Sequence, residues 1–129
     1  MSELFAGATP IVMIATADRA RAVPFYRDVL GLPMVAEDDY ASVFLVGGVT
    51  LRLSIVQGWQ PSAHTVFGFE VADAAAAARA LTARGVAMVR YPFFEQDADG
   101  LWSAPVGAAK VGWFLDPDGN NLSITQVGG

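Results

Sequence analysis

In a chain of 129 residues of which only 16% are charged, three side chains stand out as able to hold charge or move a proton: Arg52, the lone histidine His64, and Glu70. A guanidinium at Arg52 can grip a carboxylate, phosphate or enolate oxygen with two parallel N–H groups. It can equally pair with Glu70 or reach solvent as a rim charge. Glu70 would serve as a general base if burial raised its pKa, and His64 as a base or a hydrogen-bond partner of a ligand; an ion pair and plain exposure are the structural alternatives. A second group is aromatic. Tyr91, Phe93, Phe94 and Trp102 crowd into the stretch 91–108, longer than an ordinary connection. There they can stack on a flat ligand, cover a sheet edge or meet a second copy of the chain.

Composition narrows the chemistry. There is no cysteine, which removes disulfide scaffolds, thiolate metal sites and cysteine nucleophiles. Eight Lys and Arg against 13 Asp and Glu leave a net charge of −5, the wrong sign for releasing counterions from a nucleic acid. The most apolar run, Val43 to Leu51, ends at Arg52, far short of the roughly 18 residues of a spanning helix. Met1-Ser2-Glu3-Leu4-Phe5 lacks the basic start and long apolar stretch of a secretory signal. A cytoplasmic protein with no membrane and no nucleic-acid partner is expected.

An internal repeat organises the chain. Ala17-Asp18 opens an apolar-periodic stretch that closes at Gly31-Leu32-Pro33-Met34-Val35, and Ala72-Asp73 opens another that closes at Gly85-Val86-Ala87-Met88-Val89. Each half ends alike, through Phe44-Leu45 to Leu53-Ser54-Ile55 and through Phe114-Leu115 to Leu122-Ser123-Ile124. Module one runs from about 8 to 57 and module two from about 63 to 127, joined by a linker at 58–62 rich in turn residues.

Within each half the order is strand, helix, then three strands. Pro10 to Ala15 is of strand length, and Asp18 can cap the following helix. Pro24 removes an intrahelical hydrogen bond, so a kink or irregular turn is expected there. Asp73 to Arg84 forms the second helix, with Ala74, Ala77, Ala78 and Leu81 on its packed face. Strands are expected at 33–37, 40–46, 49–56, 86–90, 109–115 and 121–126.

Phe25-Tyr26-Arg27-Asp28-Val29-Leu30-Gly31-Leu32 resembles the helix-one signature of the glyoxalase/bleomycin resistance protein/dioxygenase family, the vicinal oxygen chelate superfamily. Phe114-Leu115-Asp116-Pro117-Asp118-Gly119-Asn120 resembles its C-terminal signature. Both segments are structural in themselves: the first packs a helix on a sheet, and the second puts Pro and Gly where a tight turn wants them. The resemblance implies an α+β fold, with two tandem βαβββ modules forming a cup-shaped mixed sheet in one domain over 1–129, and a homodimer.

It also implies where a metal would be held. The family's ligand positions fall on Ile11, Ser54, Val66 and Ser123, none of them an imidazole or a carboxylate. Two hydroxyls and two aliphatic chains cannot supply the converging N and O donors of a divalent metal. His64, two residues before Val66, is expected on the same strand face, roughly 6.6–7 Å along it. These positions also imply, through strand alternation, which side chains face the cup. They are Ile11, Met13 and Ala15; Thr50, Arg52, Ser54 and Val56; His64, Val66, Gly68 and Glu70; and Asn121, Ser123 and Thr125.

The leading reading is a metal-independent protein, without cofactor, that binds a small organic molecule in the cup, as bleomycin-resistance proteins do. Met13, Arg52, Ser54, His64, Glu70, Tyr91, Trp102 and Ser123 would be the contacts. The alternative is a glyoxalase- or dioxygenase-family enzyme of lyase or isomerase type, cofactor-independent or with a non-standard metal site, in which Glu70 and His64 are the candidate catalytic groups.

Overall fold

Alternation decides the first sheet. In Val49–Ile55 every second residue is apolar, and the strand buries Leu51 and Leu53 while Thr50, Arg52 and Ser54 point the other way. The computed structural model describes residues 4–105 and 107–128. The expectation drawn from Met1–Glu3 lies outside them. Two units form, Met1–Trp59 and Gln60–Gly129, and the division falls inside the expected linker. Each unit is a four-stranded mixed sheet with one helical segment, giving an α+β fold of two βαβββ modules. Among the described residues no helix is long and apolar enough to cross a membrane.

In the first unit the strands are β1 (Ile11–Thr16), β2 (Met34–Glu37), β3 (Ala41–Val46) and β4 (Val49–Ile55), in the spatial order β1-β4-β3-β2. β1 runs parallel to β4, with Met13 opposite Arg52 and Ile14 opposite Leu53. The helix α1 (Arg19–Pro24) is capped by the Asp18 carboxylate, which accepts from the Ala20 N–H at 3.0 Å. Pro24 then has its expected consequence in a specific form. The chain continues over Phe25–Val29 as a π-helical turn, in which the Leu30 N–H reaches back five residues to the Phe25 carbonyl. The wider turn lets Phe25 and Tyr26 both enter the core, where Tyr26 meets Phe44 at 6.0 Å beside Ile14, Leu51 and Leu53. Fully burying each of these large side chains contributes about 1.5–3 kcal/mol.

In the second unit β5 (Thr65–Glu70), β6 (Trp102–Ser103), β7 (Lys110–Leu115) and β8 (Asn121–Gln126) lie in the order β5-β8-β7-β6. The helix α2 (Ala74–Ala83), capped by Asp73, buries Ala74, Ala78 and Leu81, with Ala77 only half-buried. Asp116 holds the β7–β8 turn together. One carboxylate oxygen accepts from the N–H groups of Asp118 and Asn120, at 2.9 Å each, and the other from Asn120 Nδ2 at 2.8 Å.

Four expectations need correction. The apolar stretch 86–90 is not a strand: only Met88 bridges to Phe114, and the edge beside β7 is completed by Trp102–Ser103 instead. The Gln96 side chain explains the departure. Its Nε2 donates to the carbonyls of Val89 and Gly100 while its Oε1 accepts from the Tyr91 N–H, so the backbone folds into a turn. His64 lies ahead of β5 rather than on it, and is exposed. Val66, expected on the regular alternation of the strand, falls at a bulge: the register shifts between Thr65, which pairs with Asn121, and Phe67, which pairs with Leu122. Finally, Val56 falls just past β4, and Ile55 at its end is 39% exposed instead of in the core.

Candidate functional site

Each sheet packs its helix on one face, and most of the expected site residues lie on the other, where Ser123 of the second sheet is buried. On the first sheet, Ile11 and Met13 are 66% and 62% exposed. Arg52, half-buried, pairs with Met13 on one side and Val43 on the other. Within its own unit Arg52 has no hydrogen-bond or ion-pair partner among the described residues. Ser54, half-buried, lies two residues along, opposite Ala15 and Ala41. A guanidinium whose N–H groups are not engaged in a hydrogen bond or ion pair, on a largely apolar surface, is a ready contact for an anionic oxygen.

The corresponding face of the second sheet is aromatic. Trp113 stands at its centre, opposite Ser123, which in turn is opposite Gly68. Phe94 lies flat on the indole, with centroids 5.1 Å apart and planes within 3°. Tyr91 meets the indole edge-on at 5.3 Å, and Trp102 lies 4.8 Å from Phe94. Phe93, stacked on Tyr91 at 5.3 Å, is 72% exposed. A polar chain fixes the Tyr91 ring: Thr65 Oγ1 donates to Asn121 Oδ1 at 2.9 Å, and Asn121 Nδ2 donates to the Tyr91 hydroxyl oxygen at 2.7 Å. Stretch 91–102 is therefore a built cover for its own sheet. Arg90 donates to the carbonyls of Gln96 and Ala98, and Arg79 of α2 grips Asp99 at 3.1 Å.

Glu70 is exposed at the end of β5, on the face that carries Ser123 and Thr125. His64 precedes the start of the same strand. Six strand residues place them about 20 Å apart, so they cannot share one proton. Elsewhere, a groove of 580 Å³ between α1 and β2 is lined by Arg19, Arg27, Glu37, Asp38 and Asp39. Its cations are already engaged: Arg19 Nη1 donates to the Asp38 carbonyl at 2.7 Å, and Arg27 pairs with Asp28 at 2.9 Å.

A family model described as glyoxalase/bleomycin resistance protein/dioxygenase superfamily matches residues 10–124. The chain belongs to this superfamily. No curated protein matches it. Among solved structures, the glyoxalase/bleomycin resistance protein/dioxygenase from Nocardioides is 20% identical with a TM-score of 0.74, covering 94% of this chain and 83% of that one. The superfamily member from Sphaerobacter thermophilus is 21% identical with a TM-score of 0.73, covering 93% and 97%. A lactoylglutathione lyase from Agrobacterium tumefaciens is 17% identical with a TM-score of 0.66, covering 93% of each chain. At these identities the likeness speaks for the fold.

At the positions where the resemblance implies metal ligands, the residues carry the wrong chemistry. Ile11 is an exposed aliphatic chain, Val66 sits at the β5 bulge, and Ser54 and Ser123 offer only neutral hydroxyls. Among the described residues no three His, Asp or Glu side chains come together as a metal cluster. These residues do not fit a divalent metal.

Trp113 is the member of the second face that the sequence did not single out. The signal was present: the Asp116–Asn120 turn sets Leu115 opposite Asn121, which puts Trp113 opposite Ser123.

Proposed function

We propose that this superfamily member binds a small organic molecule without a metal, on the faces of its sheets turned away from the helices, and sequesters rather than transforms it. The observation that carries the reading is Arg52, a guanidinium with no hydrogen bond or ion pair in its own unit among the described residues, amid the exposed Ile11 and Met13. Such a group holds a carboxylate, phosphate or enolate oxygen while the apolar surround takes the ligand's body. Met13 and Ser54 are the neighbouring contacts on the first sheet, and Ser123, Tyr91 and Trp102 are the contacts offered by the second. Separation of His64 from Glu70 argues against a proton-transfer pair, which supports binding over turnover. The protein is further proposed to be a homodimer.

Native mass spectrometry of untagged protein purified without chelator tests this. The expected spectrum shows a metal-free species of about 27 kDa, twice the 13.6 kDa chain, as a twofold assembly requires, carrying or accepting a small-molecule mass. Stoichiometric divalent metal would overturn the metal-free reading. If a ligand is found, Arg52→Ala should weaken its binding at least tenfold; a ligand that is chemically changed on incubation would replace the binder with an enzyme.

A further inference from the structure

The face of the first sheet turned away from α1 carries one polar line with an apolar border on each side. Thr50, Arg52 and Ser54 alternate along β4 onto that face, about 7 Å from one to the next. All three are half-buried, and none makes a side-chain hydrogen bond or ion pair in its unit among the described residues. Their cross-strand neighbours are Ile11, Met13 and Ala15 on β1 and Leu45, Val43 and Ala41 on β3, none of them polar and none aromatic.

The face is open on one side only. Ala41, opposite Ser54, is fully buried, whereas Ile11 and Met13 on the edge strand β1 are 66% and 62% exposed. Room for a ligand therefore lies over β1, from Met13 opposite Arg52 to Ile11 opposite Thr50. One strand across and two residues along, that path from Arg52 to Ile11 spans about 8 Å.

Apolar side chains left so exposed next to each other call for a cover. A second copy laid face to face on them would bury the guanidinium against aliphatic chains with its charge unmatched. A small anion with an apolar body satisfies both features at once. That body is aliphatic, because the face offers no ring to stack on, while the flexible Met13 thioether adapts to an apolar chain. Asp38 feels the Arg52 charge but makes no ion pair with it, and its carboxylate is held by the N–H groups of Tyr40 and Ala41. The guanidinium N–H groups are left for a ligand.

We propose that this face binds a medium-chain aliphatic monocarboxylate, its carboxylate on the Arg52 guanidinium with the Thr50 hydroxyl as a second donor, and its chain laid over Met13 and Ile11. This rests on the small-molecule reading and names a ligand class for it. Arg52 supplies the charge and a forked pair of donors matched to a carboxylate.

The test follows the methionine methyl signals of the full chain labelled with ¹³C-methyl methionine during titration with octanoate. Met13 reports the face, while Met34 lines the groove beside α1 and Met88 lies beside Gly100 and Gly112 in the second unit. Octanoate should move the Met13 signal, assigned by its loss in Met13→Leu, and leave Met34 and Met88 in place. Octylammonium, the same chain with the opposite charge, should not move it, and 2-naphthoate, an aromatic carboxylate, should bind at least fivefold more weakly. Arg52→Ala should weaken octanoate at least tenfold, and Thr50→Val, which keeps the shape and removes the hydroxyl, at least twofold. A Met13 signal indifferent to octanoate, or moved as far by octylammonium, would overturn the assignment, as would an affinity equal to wild type in either variant. A Met13 signal that answers to dilution of the protein but not to octanoate gives the face to a second copy instead. If 2-naphthoate binds as tightly as octanoate and Arg52→Ala abolishes it, the small-molecule reading survives and the aliphatic class does not. If no probe binds and no ligand mass accompanies the protein, both fall.

Discussion

Phe94, from a loop, and Trp113, from the middle of β7, lie parallel within 3° at 5.1 Å. That contact, rather than backbone pairing, lays the 91–101 turn onto the sheet, because β6 contributes only two paired residues at the far end. Phe94→Ala should therefore cost about 2–3 kcal/mol, the loss of a half-buried ring and its aromatic partner. Phe93→Ala, removing a neighbour that is 72% exposed, should cost under about 1 kcal/mol. Urea unfolding followed by tryptophan fluorescence separates the two; equal losses would mean the stack does not anchor the turn.

The same turn makes a sharper demand at Gly100. Its φ is +83°, and an added Cβ would stand 2.7 Å from Met88 Cβ, an atom fixed to the backbone and unable to swing aside. Gly58 has a similar φ of +75° but nothing within 4 Å of the Cβ position. Gly58→Ala should cost about 1–2 kcal/mol, the left-handed penalty alone. Gly100→Ala carries that penalty plus the overlap, about 1–3 kcal/mol more. Denaturation midpoints should rank wild type, Gly58→Ala, Gly100→Ala, and a reversal would contradict the packing of Met88.

These cases mark what the sequence carried and where it stopped. The caps at Asp18 and Asp73, the Asp116 turn, and the division of β4 into Leu51 and Leu53 against Arg52 and Ser54 were all legible, because each is a local matter of capping, turn chemistry or alternation. Val86-Ala87-Met88-Val89 misled because an apolar run says nothing of where its hydrogen bonds go. The Gln96 amide, seven residues on, took two of the nearby backbone groups. The Val66 bulge was invisible because adding one residue to a strand leaves composition and periodicity nearly unchanged. Of the candidate site, Arg52 and Ser123 fell where alternation put them. The aromatic stretch 91–102 was legible as a cluster, but Trp113 was missed because it gains meaning only through the partner strand.

Asp38 supplies a pH test. Its carboxylate accepts from the Tyr40 N–H at 2.8 Å and the Ala41 N–H at 2.9 Å. Those bonds, then the Arg52 and Arg19 charges, hold its pKa below the ordinary carboxylate value. A folded value below the unfolded one, about 3.9, means that the ionised group favours the folded state. Its contribution is in place above about pH 4 and disappears as pH falls through the folded value. Asp38→Asn keeps an oxygen for both N–H groups but has no charge to lose. Between pH 5 and pH 3 the urea midpoint of wild type should fall more steeply than that of the variant. Asp28, held low chiefly by its hydrogen bond from Arg27, titrates in both proteins and cancels; parallel slopes would remove Asp38 from the acid transition.

Arg52 and Leu53 are adjacent in β4 and point to opposite faces, so one substitution at each separates ligand contact from fold. Leu53 is fully buried against the α1 side, and Leu53→Ala should cost about 2–5 kcal/mol in transfer and cavity terms. Arg52 has no hydrogen bond or ion pair within its unit among the described residues. Its methylene stem lies beside Met13 and Val43, which together with weakened attraction for Asp38 is worth little on an open face. Arg52→Ala should thus leave the unfolding free energy within about 0.5 kcal/mol of wild type, while affinity for a ligand bearing an anionic oxygen falls. A loss at Arg52→Ala approaching that at Leu53→Ala would make the guanidinium part of the fold's own support, and the observation on which the binding reading rests would be gone.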